Sequence, residues 1–191
     1  MKFVKWEDLP KRMRNESVKP YYECLMRRQK SMKAKRLIDV ICSSILLVLL
    51  SPAMVILAIG IKLDSKGPVF FRQARITQYG REYRIFKFRT MVADADKKGP
   101  AVTTSGDSRI TRMGLLLRKC RLDELPQLFN VLAGDMSFVG TRPEVKKYVE
   151  AYTDEMWATL LLPAGITSRT SIARLCIACS CCSFLCIKRM T

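Results

Sequence analysis

The chain has 191 residues, with 34 Lys and Arg against 17 Asp and Glu, a formal charge of +17 and not one histidine. The missing histidine excludes Ser-His and Cys-His nucleophiles and imidazole-based zinc mechanisms, so proton transfer or nucleophilic attack falls to carboxylates. So large a positive balance points to an anionic partner: nucleic acid, an acidic membrane surface or a phosphorylated small molecule.

The length suits one compact domain with appendages. Residues 1–39 hold 12 basic and 5 acidic side chains. Within them Met1–Asn15 reads equally as a disordered basic leader or as part of a surface segment. Met13–Arg36 interleaves cations with Val18, Tyr21, Tyr22, Leu25 and Met26, a pattern for a partly helical stretch lying on an anionic membrane. Val40–Ile61 follows, 22 residues without a charge. Roughly 20 apolar residues suffice to cross a bilayer. The stretch is too long and too far from Met1 for a cleavable signal peptide. Lys33, Lys35 and Arg36 flank one end and Lys62 and Lys66 the other, so charge gives no orientation. Ser51–Pro52 falls mid-segment, where proline deletes a backbone hydrogen bond and the Ser51 hydroxyl can satisfy a freed group. Both a kinked span and a helix that enters one leaflet and returns to the same face fit, with re-entry slightly favoured.

Pro68–Arg89 has strand character around a Gln78-Tyr79-Gly80 turn, which predicts a hairpin with one basic face. Its alternating aromatics and cations also fit RNA, so a basic nucleic-acid-binding membrane protein stands as a rival. Asp94–Asp107 reads as a loop. Ile110, Met113, Leu116, Leu117 and Cys120 have helical spacing. A second apolar series runs from Leu122 to Leu132 and stops at Gly134. Pro126 suits a first turn, which starts that helix near Asp123 and puts Asp123 at or beside the N-cap. A capping aspartate is one reading of that residue. The other is a working carboxylate where backbone amides favour phosphate. Adjacent helical residues point about 100° apart, so Asp123 and Glu124 suit different tasks. Consecutive carboxylates fit glycosidase chemistry poorly and fit a nucleophile beside a general acid/base better. Gly134–Glu144 reads as a turn, a short strand and a rigid loop, with Arg142 beside Pro143 as a phosphate clamp. Cys24, Cys42 and Cys120 read as apolar fillers.

In order along the chain stand KRLIDV (Lys35–Val40), Ser51–Pro52, GPVFFRQ (Gly67–Gln73), FKFRTM (Phe86–Met91), DSRIT (Asp107–Thr111), LDELPQLFNVLAGDMSFVG (Leu122–Gly140) and TRPE (Thr141–Glu144). From Met13 to Thr170 the chain thereby resembles the bacterial sugar transferases, polyprenyl-phosphate phosphoglycosyl transferases, in their small monotopic form. The large form carries a further membrane domain, for which this chain has no room. The resemblance implies an α+β fold with a re-entrant N-terminal membrane helix, interfacial amphipathic helices and a small catalytic domain with a short β-hairpin. Its segments would be 1–39 (basic interfacial), 40–62 (re-entrant helix), 63–170 (catalytic) and 171–191 (a divergent tail).

The resemblance further implies that a UDP-sugar and a polyprenyl phosphate, such as undecaprenyl phosphate, give polyprenyl-diphosphate sugar and UMP. That step initiates capsule, exopolysaccharide, O-antigen or glycoprotein glycan assembly at the cytoplasmic face of the inner (plasma) membrane. Anionic lipids and downstream glycosyltransferases would be partners, and nucleic acid would not. Asp123 would attack the sugar-bearing phosphate and Glu124 would help deprotonate the lipid phosphate. Mg²⁺ would sit with Asp123 and the diphosphate, and Lys87, Arg118 and Arg142 would hold phosphate. Two departures stand out. Thr141 replaces the family's usual proline, which loosens that loop. After Thr170 the chain turns Cys-rich, with Cys176, Cys179, Cys181, Cys182 and Cys186 among its last 21 residues. Such a shift fits a frameshift or truncation better than a zinc site, which makes an inactive membrane-bound remnant the alternative to an active enzyme.

Overall fold

The computed structural model describes residues 3–92, 95 and 107–167. Most of the expected loop between Asp94 and Asp107, and the Cys-rich tail, lie outside them. The fold mixes helices with two small sheets. Along the chain come α1 (Lys19–Arg27), α2 (Gln29–Asp64), β1 (Phe70–Ile76), β2 (Glu82–Phe88), α3 (Arg112–Lys119), α4 (Gln127–Ala133), β3 (Met136–Val139), α5 (Lys146–Glu150) and β4 (Ala164–Thr167). They divide into two compact units, one within Met1–Ile41, Ala74–Tyr83 and Val131–Thr191, the other within Cys42–Gln73 and Arg84–Asn130.

The long helix α2 takes in the whole apolar run and also the basic residues before it. Its apolar 22 residues span about 33 Å at 1.5 Å per residue, against a hydrocarbon core of about 30 Å. Many of its apolar side chains are turned outward, Val48 being 73% exposed and Ile56 68%, while Met54 and Ile61 are buried. Pro52 lies inside this helix and has no N–H to offer the Val48 carbonyl one turn earlier. The Ser51 hydroxyl donates to that carbonyl instead, at 2.8 Å. The pairing explains why serine precedes the proline.

In the first unit, the leader is built into the core. Leu9, Met13 and Val18 are buried with Ile76, Val149, Trp157, Leu160 and Leu161. This corrects the disordered-leader reading for residues 3–15, because Leu9 and Met13 are buried in a shared apolar core. Tyr21, Tyr22 and Leu25 of α1 pack on the same cluster, so these apolar groups face the core. Three residues of KRLIDV bond to distant carbonyls and hydroxyls. Lys35 pairs with buried Asp39 at 3.3 Å and also donates to Ser137. The Ser137 hydroxyl donates to Asp39 at 2.7 Å. Arg36 donates to the Val131 and Leu132 carbonyls at 2.6 and 2.9 Å, which neutralises the C-terminal end of α4.

The strands β3 and β4 pair in parallel, Met136 opposite Ala164 and Val139 opposite Thr167. The loop after β3 is pinned three times. Gly165 N–H donates to the Thr141 carbonyl at 2.8 Å, Arg75 to that of Pro143 at 3.1 Å, and Ile76 N–H to that of Glu144 at 2.9 Å. Thr141 is therefore held by its backbone, and the expected loosening is offset.

The second unit is built on Met54, Ile61, Phe88 and Leu117. Arg89, only 6% exposed, closes the end of α2 by donating to the Ser65 carbonyl at 2.6 Å, the Ser65 hydroxyl at 2.8 Å and the Lys66 carbonyl at 3.2 Å. Asp64 accepts from the Met113 amide at 2.9 Å, in the first turn of α3, where the helix dipole favours a carboxylate. Thr111 caps α3 by accepting from Gly114 N–H at 3.0 Å. Arg109 grips Asp107 with Nε at 2.9 Å and a terminal nitrogen at 2.6 Å, which lowers the Asp107 carboxyl from 3.8 to about 2. A carboxyl pKa depressed on folding stabilises the native state above its unfolded value and loses that effect as pH falls through the folded one. Acid unfolding is thus expected to steepen between the ordinary 3.8 and about 2, and Asp107→Asn should flatten that limb in circular-dichroism titrations.

Candidate active site

All four expected groups of the carboxylate region lie in the second unit, on two elements and a turn. α3 ends at Lys119, and Arg121 takes a left-handed backbone with φ 57°. That reversal ends the helix and starts a 3-10 turn, Leu122–Glu124. Asp123 is therefore inside a tight turn and is not the N-cap of α4, which begins at Gln127. Buried Pro126 comes just before the helix and not within its first turn. The reason is local: proline cannot donate to the ladder, and the chain has already turned through successive i→i+3 bonds, Glu124 N–H to the Arg121 carbonyl and Leu125 N–H to that of Leu122.

Lys87, near the end of β2, places its Nζ 3.1 Å from Glu124 Oε1, and Arg121 approaches the same oxygen at 3.8 Å. Arg118, on the last turn of α3, donates from Nε to the Thr90 hydroxyl at 2.9 Å. This fixes the stem and leaves the guanidinium's other N–H groups to other acceptors. Asp123 is half-buried. Burial raises its carboxyl above the ordinary range, and Glu124 adds to the rise, while Lys87 and Arg118 act against it. The arrangement is one desolvated carboxylate, one carboxylate held in an ion pair, and two cations within electrostatic reach. Desolvation leaves a carboxylate less hydrated and so more nucleophilic, while neighbouring cations favour its ionised form.

Among the described residues no three Cys, Asp or Glu side chains converge as a metal cage. A carboxylate in the company of a second suits Mg²⁺, which takes most of its ligands from phosphate oxygens and water. Asp123 is the donor that fits that role. Arg142 belongs to the first unit, exposed on the pinned loop after β3. Ser51 and Pro52 are in α2, with no catalytic group beside them in the sequence.

Three features of the site escaped the sequence. Thr90 holds Arg118. Gly114 permits α3 to touch the Thr90 backbone, since a Cβ there would lie 2.1 Å from the Thr90 carbonyl oxygen. Asn130 is a buried amide in an apolar helix, and such a group needs partners, which was the one available signal. Of the hairpin cations that fitted RNA, Arg89 is buried as the cap of α2 and Lys87 is paired with Glu124. Cys120 is exposed and is no filler. Leu115, Leu116 and Phe129 are also exposed, so α3 and α4 leave apolar groups outward.

The bacterial sugar transferase family model matches residues 30–179. The UDP-N-acetylgalactosamine-undecaprenyl-phosphate N-acetylgalactosaminephosphotransferase of Aeromonas hydrophila is 45% identical over 122 residues, 64% of this chain and 29% of the relative. Two UDP-glucose:undecaprenyl-phosphate glucose-1-phosphate transferases are also similar. That of Klebsiella pneumoniae is 41% identical over 145 residues (74% of this chain, 31% of the relative). That of Caulobacter vibrioides is 44% identical over 119 residues (62% and 45%). The chain thus spans less than half the length of these curated relatives.

Proposed function

This chain belongs to the bacterial sugar transferase family, and we propose that it transfers a phosphosugar from a UDP-sugar to undecaprenyl phosphate, releasing UMP. The observation that carries this reading is the turn at Asp123–Glu124, where a desolvated carboxylate stands with Lys87 and Arg118 close enough to shift it. The names of the similar proteins support the substrate pair.

In this reading the Asp123 carboxylate attacks the sugar-bearing phosphorus. The bond from that phosphorus to the bridging oxygen breaks, and UMP leaves with the electron pair. Glu124 then accepts the proton of the lipid phosphate, whose oxygen attacks the same phosphorus and expels Asp123 as a carboxylate. Lys87 and Arg118 carry the charge of the phosphates, which is the main requirement of phosphoryl transfer between anions; Arg142 is proposed as a further phosphate-holding cation. A magnesium ion bound by Asp123 would neutralise further charge on the diphosphate. The outward apolar face of α2, and Leu115, Leu116 and Phe129, support a protein seated in and on the cytoplasmic face of the inner membrane. Pro52 in the middle of α2, with basic residues at both ends of the apolar run, supports a helix that bends and returns to that face. Initiation of a surface polysaccharide follows from the substrates, and downstream glycosyltransferases would take the product.

Membranes holding the chain, given undecaprenyl phosphate and a panel of UDP-sugars, are expected to release UMP with one of them, and chelation by EDTA should stop it. Silence from well-expressed protein, in an assay where a longer relative works, would instead mark an inactive remnant.

A further inference from the structure

Asn130 lies on α4 and is 2% exposed. Its Nδ2 donates to the Arg84 carbonyl at 3.0 Å, and its Oδ1 accepts from the Phe86 amide at 2.8 Å. In a strand the carbonyl of one residue and the amide two residues on face the same edge. One side-chain amide therefore fills the place that a neighbouring strand would take. The other edge of β2 pairs with β1, so β2 is held from both sides immediately before Lys87. The segment that supplies this amide is the one that carries Glu124, joined to it through buried Pro126 and Gln127. Asn130 thus ties the strand bearing the ammonium to the segment bearing its carboxylate.

We infer that Asn130 is a positioning residue: by fastening β2 at Arg84 and Phe86 it sets where Lys87 meets Glu124, and through Lys87 where the donor phosphate is held. The second half rests on the proposed transferase activity. Asn130→Asp keeps the shape and the acceptor but opposes a buried oxygen to the Arg84 carbonyl. In the full chain it is expected to lower kcat/KM for the UDP-sugar about 10-fold, and less than about 2-fold when Lys87 is already Met, since residues acting through one another are non-additive. A 10-fold loss in both backgrounds, or in neither, would overturn the inference. Full activity of Lys87→Met alone would instead remove the phosphate role of Lys87.

A measurement free of turnover keeps the structural half testable. Amine acylation of Lys87 in the detergent-solubilised chain, read by mass spectrometry against exposed Lys119, should rise at least about 2-fold in Asn130→Asp as the ion pair loosens. An unchanged ratio, with Lys119 itself acylated as in the parent, contradicts the role. If both lysines rise together the variant has unfolded, and Asn130→Gln, the same amide on a longer stem, takes its place with the same expected ratio.

Discussion

Asp123→Asn is expected to abolish UMP release, by about 10⁴-fold or more as for loss of a nucleophile, while leaving the fold intact. The second half of that expectation comes from the electrostatics. Burial raises the Asp123 carboxyl, so the charged form is disfavoured there and a neutral amide of the same shape relieves the site. Thermal unfolding of the variant in detergent should therefore match or exceed that of the parent. A large loss of stability would mean that Asp123 is held by native contacts and serves the fold. Glu124, in contrast, sits in an ion pair with Lys87, and truncating it would strand a cation.

Gly114→Ala should be damaging for a different reason. A Cβ on residue 114 would fall 2.1 Å from the Thr90 carbonyl oxygen and 2.9 Å from the Thr111 hydroxyl that caps the same helix. The obstacle is backbone, which cannot swing aside, so α3 has to move bodily. Overpacking of this kind costs about 1–3 kcal/mol, more than the roughly 1 kcal/mol that alanine gains over glycine in a helix. Because Arg118 rides on α3 and is fixed through Thr90, the displacement should also depress activity in whatever fraction remains folded. Thermal melts and UMP release on one preparation would separate the two effects. An unchanged melt would show that α3 does not rest on the Thr90 backbone.

The elements built from local signals were legible in the sequence. The hairpin around Gln78–Gly80, the helix after Thr111, the turn at Gly134 and the long apolar helix all follow from periodicity and from residues with restricted backbones. The Ser51–Val48 hydrogen bond was legible too, because a proline names the carbonyl it leaves free. What escaped notice depended on partners far away in sequence. Asp123 looked like an N-cap, but a left-handed Arg121 had already turned the chain, and no pattern in RKCRLDELPQ marks a left-handed arginine. The leader read equally as disordered or as a surface segment until Leu9 and Met13 met Trp157 and Val149. The strand β4 is short and exists by pairing with β3. In KRLIDV the cations looked like a flank for a membrane segment, yet Lys35 and Arg36 serve Ser137 and the end of α4. Asn130 gave a weak signal, an amide among apolar neighbours, but its place on the edge of β2 needed coordinates.

The proposed chemistry attaches Asp123 covalently to the phosphosugar. The most direct measurement is intact and peptide mass spectrometry of the chain after rapid quenching with its UDP-sugar, in the absence of undecaprenyl phosphate. The expected result is one phosphosugar adduct on the peptide containing Asp123, absent from Asp123→Asn and discharged when the lipid phosphate is added. UMP release that requires the lipid phosphate, with no adduct on any peptide, would contradict the account and point to direct transfer between the two substrates.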